Sequence, residues 1–189
     1  MSTPFMALRQ HPHHAQRLGV FVWVVAITVG ATGCHVSSPH LPTDPGQTSE
    51  VAPALTALPT LEDTQAQITS AIERVGQQIS AIVPAMTWAW RREASRGGCR
   101  PPFEQSGGHE VLLANYVSDV PIPEQNWKQA YDIAARAASE LGAATVTVFK
   151  DAPDDHDVQF SDDTGTTLRV GSQKASLLTG STGCRLPAK

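Results

Sequence analysis

The chain reads as an α+β domain: a mainly antiparallel sheet of about five strands with two helices packed on one face, in the order α-β-β-α-β-β-β. Three observations lead there. Apolar residues recur close to the ~3.6-residue helical period over 60–82 and again over 124–141. Runs of alternating apolar and polar residues lie between and after these segments. Finally, Asp162-Asp163-Thr164-Gly165 joins two such runs as a hairpin turn, with glycine available for positive φ, and hairpins pair antiparallel strands.

The first helix opens at Thr60, with Asp63 three residues on as a capping-box variant and acids at the positive helix end. Leu61, Ile68, Ile72, Val75, Ile79 and Ile82 form its apolar stripe, and Pro84 stops it. Glu62, Gln65, Glu73, Gln77 and Gln78 face water. The stripe lasts only about three heptads without repeated flanking charge pairs, so it favours core packing over a coiled coil.

Beyond Pro84, Met86, Trp88 and Trp90 alternate as a strand, and His109 to Val117 supplies a second. Between them lies a glycine- and proline-rich loop holding Cys99. Arg91, Arg92, Arg96 and Arg100 crowd its start; they could bind an anion, but such runs are more often solvated strand ends paired with surface acids. Pro121 and Glu124 open the second helix, whose stripe is Trp127, Tyr131, Ala134, Ala138 and Leu141, with Asp132–Arg136 and Arg136–Glu140 as pairs on the wet side. Gly142 ends it. Strands follow at 144–150, 158–161 and 166–172, with a last short piece at 175–178.

The amino terminus belongs to a different class of segment. Residues 1–17 carry Arg9 and Arg17 but no acid, and the apolar run LGVFVWVVAITVG follows. That run is about 13 residues, short of the roughly 20 that span a bilayer, so it reads as an export signal. It ends in Ala31-Thr32-Gly33-Cys34, which resembles the bacterial lipobox, although the lipobox usually has leucine where Ala31 stands. The resemblance implies cleavage between Gly33 and Cys34, and a diacylglycerol thioether with further acylation such as palmitate on Cys34. The alternative is that Cys34 is only a small residue in a signal cut elsewhere. The expected organisation is a signal peptide over 1–33, a lipidated cysteine and Pro/Ser/Thr-rich tether over 34–59, and a globular domain over 60–189.

Charge and cysteine content narrow the partners. The two cations of the signal leave with it, so the 14 Lys and Arg of the chain fall to 12 against 18 Asp and Glu, and the net charge moves from −4 to about −6. That balance excludes a basic face for nucleic acid, and it leaves membrane attachment to acyl chains on Cys34. With Cys34 acylated, Cys99 and Cys184 remain, in the similar settings GGCRPP and TGCRLP, and an exported pair suggests one disulfide. It would close a loop worth roughly 4 kcal/mol in the chain-entropy model.

Catalytic signatures are sparse. The segment 151–163 holds six carboxylates and His156, which makes Asp154, Asp155 and Asp157 weak candidates for a cation site; it fits no EF-hand spacing, and no metal or other cofactor is expected. His109-Glu110 begins like a zincin, but Leu113 stands where the second histidine is needed. No nucleophile elbow is present.

The ATGC box, the tether, the MTWAW strand, the GGCR and TGCR cysteines and the helix EQNWKQAYDIAARAASELG together resemble the mycobacterial LppA/LppB/LppV lipoprotein family. The resemblance implies an exported protein, lipid-anchored at the cell membrane with its domain on the extracytoplasmic side. We therefore expect a non-enzymatic domain that binds an unknown envelope protein or small ligand. The alternative is an envelope-acting hydrolase or transferase using His109 and nearby carboxylates.

Overall fold

The computed structural model describes residues 44–189; the Gly33–Cys34 cleavage point, the lipidation residue Cys34 and the start of the tether lie outside the described residues. Three helices, α1 (Pro45–Leu55), α2 (Leu61–Ile82) and α3 (Glu124–Glu140), accompany eight strands. These are β1 (Ala89–Arg91), β2 (Ser95–Gly98), β3 (His109–Leu112), β4 (Asn115–Ser118), β5 (Thr145–Ala152), β6 (Asp155–Ser161), β7 (Thr166–Ser172) and β8 (Ser176–Thr182). All pair antiparallel in one sheet, ordered β1-β4-β8-β7-β6-β5, with the β2–β3 hairpin branching onto β8. The α+β class holds, with more strands and one more helix than the sequence announces.

Both long helices form where their stripes predict. The Thr60 hydroxyl accepts the Asp63 backbone N–H at 3.1 Å and donates to the Asp63 carboxylate at 2.8 Å, closing the start of α2. Ile68, Ile72, Val75 and Ile79 are fully buried. On α3, Trp127, Ala130, Ile133, Ala134 and Ala138 face the sheet and meet Val158, Phe160, Leu168, Val170 and Leu178 in one core. Gly142 follows α3 with φ +78°, the left-handed conformation that ends helices. The expected pairs along α3 do not form: Asp132 accepts from Lys128 at 2.8 Å, and Glu140 from Arg74 of α2 at 3.3 Å.

Four differences from the sequence reading have identifiable causes. Residues 45–55, assigned above to the tether, are helical: the Asp44 side chain caps the first turn, proline stands at the helix start, and Leu55 is buried against the Cys99–Cys184 pair. The run 109–117 is two strands, because Leu113 and Ala114 break it where pairing changes from the β2 side to the β1 side. β2, read as loop, has four exposed residues and so no apolar alternation; backbone pairing with β3 alone makes it a strand. The short final piece is a seven-residue interior strand, whose Thr, Ser and Gly disguise it. Gly180 sits there beneath α2, where a Cβ would lie 2.5 Å from the Thr167 carbonyl oxygen and 2.9 Å from Ile68. Glycine at this point lets the helix rest on the sheet.

Candidate functional site

His156 is the most enclosed titratable group among the sequence candidates. It stands on β6, 5% exposed, with its ring stacked on Trp127 of α3 at 4.3 Å and nearly parallel. Its Nε2 lies 2.9 Å from Glu124 and its Nδ1 3.2 Å from Asp151. Glu124 also accepts the Asp154 N–H at 2.7 Å, and that bond, followed by the His156 contact, holds its carboxyl below the ordinary glutamate range. Asp154 has φ +58° and turns β5 into β6, so Glu124 fastens the tip of this hairpin to the start of α3. Both ring nitrogens are engaged by carboxylates, and among the described residues no hydroxyl or thiol is hydrogen-bonded to them. This is a docking joint between helix and hairpin.

The acidic segment is divided among cations. Asp157 takes a two-pronged contact from Arg169, whose Nε lies 2.7 Å from Oδ1. Lys150 donates to Asp155 at 2.8 Å, and Gln173 donates to it at 3.1 Å. Among the described residues no three His, Cys, Asp or Glu side chains are placed to hold a metal ion. Asp155 and Asp157 share one face of β6, but each is taken by its own cation, Lys150 and Arg169, while Asp154 stands in the turn before the strand, so the three do not converge on one point.

His109 is a structural joint as well. Its backbone pairs with Arg185, fastening the carboxyl tail to β3, and its Nδ1 lies 3.3 Å from the Gly97 carbonyl oxygen. The adjacent Glu110 carries more chemistry. Arg100 forks onto it, Nη2 at 2.7 Å and Nε at 3.2 Å, and the Ser181 hydroxyl donates at 2.8 Å. Burial pushes this carboxyl up, but the Arg100 and Ser181 bonds outweigh it and leave the group below the ordinary glutamate range.

Beside this ion pair lies a cleft of about 360 Å³. One wall is the loop Arg100–Phe103, the opposite wall is the turn Asp163–Gly165, and the floor runs through Gly183 and Cys184. Cys99 and Cys184 are joined in a disulfide, with Cα atoms 5.2 Å apart and 85 residues between them. Two glycines leave room for close packing here, Gly108 against the disulfide and Gly183 against the 162–165 turn. A Cβ on Gly108 would sit 2.8 Å and 2.9 Å from the two sulfur atoms, and one on Gly183, at φ +63°, would sit 2.3 Å from the Thr164 carbonyl oxygen. Asp162 ties the far wall by accepting the Thr164 and Thr166 N–H groups at 2.9 Å and 2.7 Å. Beneath it, buried Arg185 donates to the Thr164 and Thr166 hydroxyls. Burial lowers the proton affinity of that guanidinium, partly offset by Asp162. The sequence brings Cys99 and Cys184 together correctly but gives no sign that Glu110, Ser181 and the 162–165 turn gather around them.

Among the described residues no helix is long and apolar enough to cross a membrane. No curated protein matches the chain. The solved structures include two similar folds. The crystal structure of LppA from Mycobacterium tuberculosis matches with a TM-score of 0.62 at 15% identity, covering 75% of this chain and 88% of that one. A DUF4853 family protein from Actinomyces odontolyticus matches with a TM-score of 0.48 at 15% identity, covering 70% and 71%. The first shows a shared fold; the second is more distant. The LppA family model, described as a lipoprotein confined to pathogenic Mycobacterium, matches residues 36–188. That span takes in α1, both long helices, all eight strands and the disulfide, and this chain belongs to the LppA lipoprotein family.

Proposed function

We propose that this lipoprotein is held by acyl chains on Cys34 at the outer face of the cytoplasmic membrane, and that its domain binds an envelope ligand or partner without chemical turnover. The observation that carries the binding role is the cleft beside the disulfide. It offers an apolar wall of Pro101, Pro102 and Phe103 next to a charged rim of Arg100, Glu110 and Asp163, the mixture that recognises a ligand with apolar and polar parts. Its walls are pinned by a covalent bond and a forked ion pair, so little ordering accompanies binding. Both histidines serve as structural joints, His109 at the Gly97 carbonyl and His156 between Glu124 and Asp151, and that use supports the non-enzymatic reading.

The test is site-directed photo-crosslinking in cells. Benzoylphenylalanine replaces Asp163 on the cleft rim, or Gln77 on the exposed side of α2 as control. A discrete adduct formed from position 163 and not from 77 is the expected result. Identical adducts from both positions, or none from 163, would overturn the binding role of the cleft.

A further inference from the structure

A second recess lies where the sheet forks. The first half of β8, Ser176 to Leu178, pairs with β4, whereas Ser181 near its other end pairs with Leu112 of β3. Leu113 pins the crotch by donating its N–H to the Gly180 carbonyl at 2.9 Å. The two branches are joined by the β1–β2 turn, where Arg92 adopts φ +63°, a costly conformation for a side chain of this size. Between the branches and α2 is a slot of about 130 Å³, lined by Gln65, Thr69, Trp90, Ala94, Leu113 and Ala114.

Trp90 is fixed before any ligand arrives. Its indole N–H donates to Glu73 at 3.1 Å, and its ring packs on Tyr116 with centroids 4.6 Å apart. Tyr116 in turn stacks on Trp88 and reaches the helix over Gly76, where a Cβ would lie 2.8 Å from the tyrosine ring. Glu73, Thr69 and Gln65 stand four residues apart along one line of α2. Glu73 is used in holding the indole; the Thr69 hydroxyl and Gln65 amide make no side-chain hydrogen bond to the described residues. A rigid aromatic surface therefore faces two neutral polar groups with unused donors and acceptors.

We propose that this slot is a binding subsite for one ring of a neutral glycan. A pyranose or furanose ring has an apolar C–H surface that fits the Trp90 indole and hydroxyls that exchange hydrogen bonds with an amide and an alcohol. No charged side chain lines the slot, so it has nothing to offset desolvation of an ionic group. An acyl chain would bury Gln65 and Thr69 without partners, which costs free energy. The volume suits a single ring, so a longer glycan would extend past Ala94 into solvent. The subsite stands on different residues from the cleft beside the disulfide, and neither depends on the other.

The test follows the tryptophan indole N–H signals of the full-length detergent-purified protein by NMR. The added probes are maltotetraose, mannotetraose and arabinotetraose, with tetra-alanine and dihexanoyl phosphatidylcholine as controls. At least one sugar is expected to shift the Trp90 signal saturably. Trp90→Ala should weaken that binding about ten-fold or more, and Gln65→Leu or Thr69→Val about three-fold or more. The latter two changes preserve size and helix, so they decide the matter if Trp90→Ala does not fold. No saturable shift with any sugar, a response only to the peptide or the lipid, or unchanged affinity in both helix variants would overturn the proposal.

Discussion

Glu110 joins three parts of the chain: the 99–108 loop through Arg100, β3 through its own backbone, and β8 through Ser181. Its side chain is 17% exposed, so Glu110→Gln, which loses the charge on one side of the fork, should cost about 1–3 kcal/mol in denaturant unfolding. The pH dependence follows from the direction of the shift. Because the folded-state carboxyls of Glu110 and Glu124 hold protons less tightly than unfolded ones, their contribution is complete above the ordinary glutamate value. It is lost as pH falls below about 4 to 5. The slope of stability against pH in that acid range should be shallower for Glu110→Gln than for wild type. At Gly180, an alanine would press a methyl group into the Thr167 carbonyl and Ile68. A loss of about 1–3 kcal/mol is expected, measured as a lower denaturant midpoint at unchanged slope. Neither Glu110 nor Gly180 announces itself: Glu110 looks like the start of a failed zincin motif, and Gly180 like part of a polar tail. Their importance comes from what the fold sets beside them.

At the scale of elements, legibility follows burial. α2 and α3 bury one continuous stripe each, and a stripe is a local pattern; both were therefore legible to within a few residues. Thr166 to Ser172 is likewise legible, because its alternate residues are buried throughout. β5 and β2 carry no such signal: every residue of each is exposed, and partner strands define them. β5 is legible in its β-branched residues Thr145, Val146, Thr147 and Val148, whereas β2, SRGG, has none. α1 is the instructive case. Its composition is that of a linker, yet Leu55 is 2% exposed and packs with the disulfide, Leu58, Phe103 and Leu186. Leu55→Ala should destabilise by about 2–5 kcal/mol. It should also raise the rate at which dithiothreitol reduces Cys99–Cys184, followed by mass spectrometry after thiol alkylation. An unchanged rate would mean that α1 does not cover the bridge.

Across the whole molecule, one covalent bond ties distant parts of the chain together, and the proposed anchor at Cys34 sets its location. The disulfide fastens the carboxyl tail to the 99–108 loop, and backbone pairing of His109 with Arg185 runs beside it. Replacing both Cys99 and Cys184 by alanine should lower stability by roughly 4 kcal/mol in the chain-entropy model, read as a reduced thermal midpoint. The cysteine pairing is legible because setting aside Cys34, in its lipobox-like context, leaves an even pair; the cleft is not, since it needs the 162–165 turn and Gly183 to meet the loop. Attachment at Cys34 is the claim on which location and orientation rest. Its most direct measurement is detergent-phase partitioning of wild type and Cys34→Ala, with mass spectrometry of the mature amino-terminal peptide. The account predicts a wild-type chain beginning at Cys34, carrying diacylglycerol and entering the detergent phase, and a Cys34→Ala chain that is unprocessed or released. An unmodified Cys34, with wild type and variant partitioning alike, would contradict it.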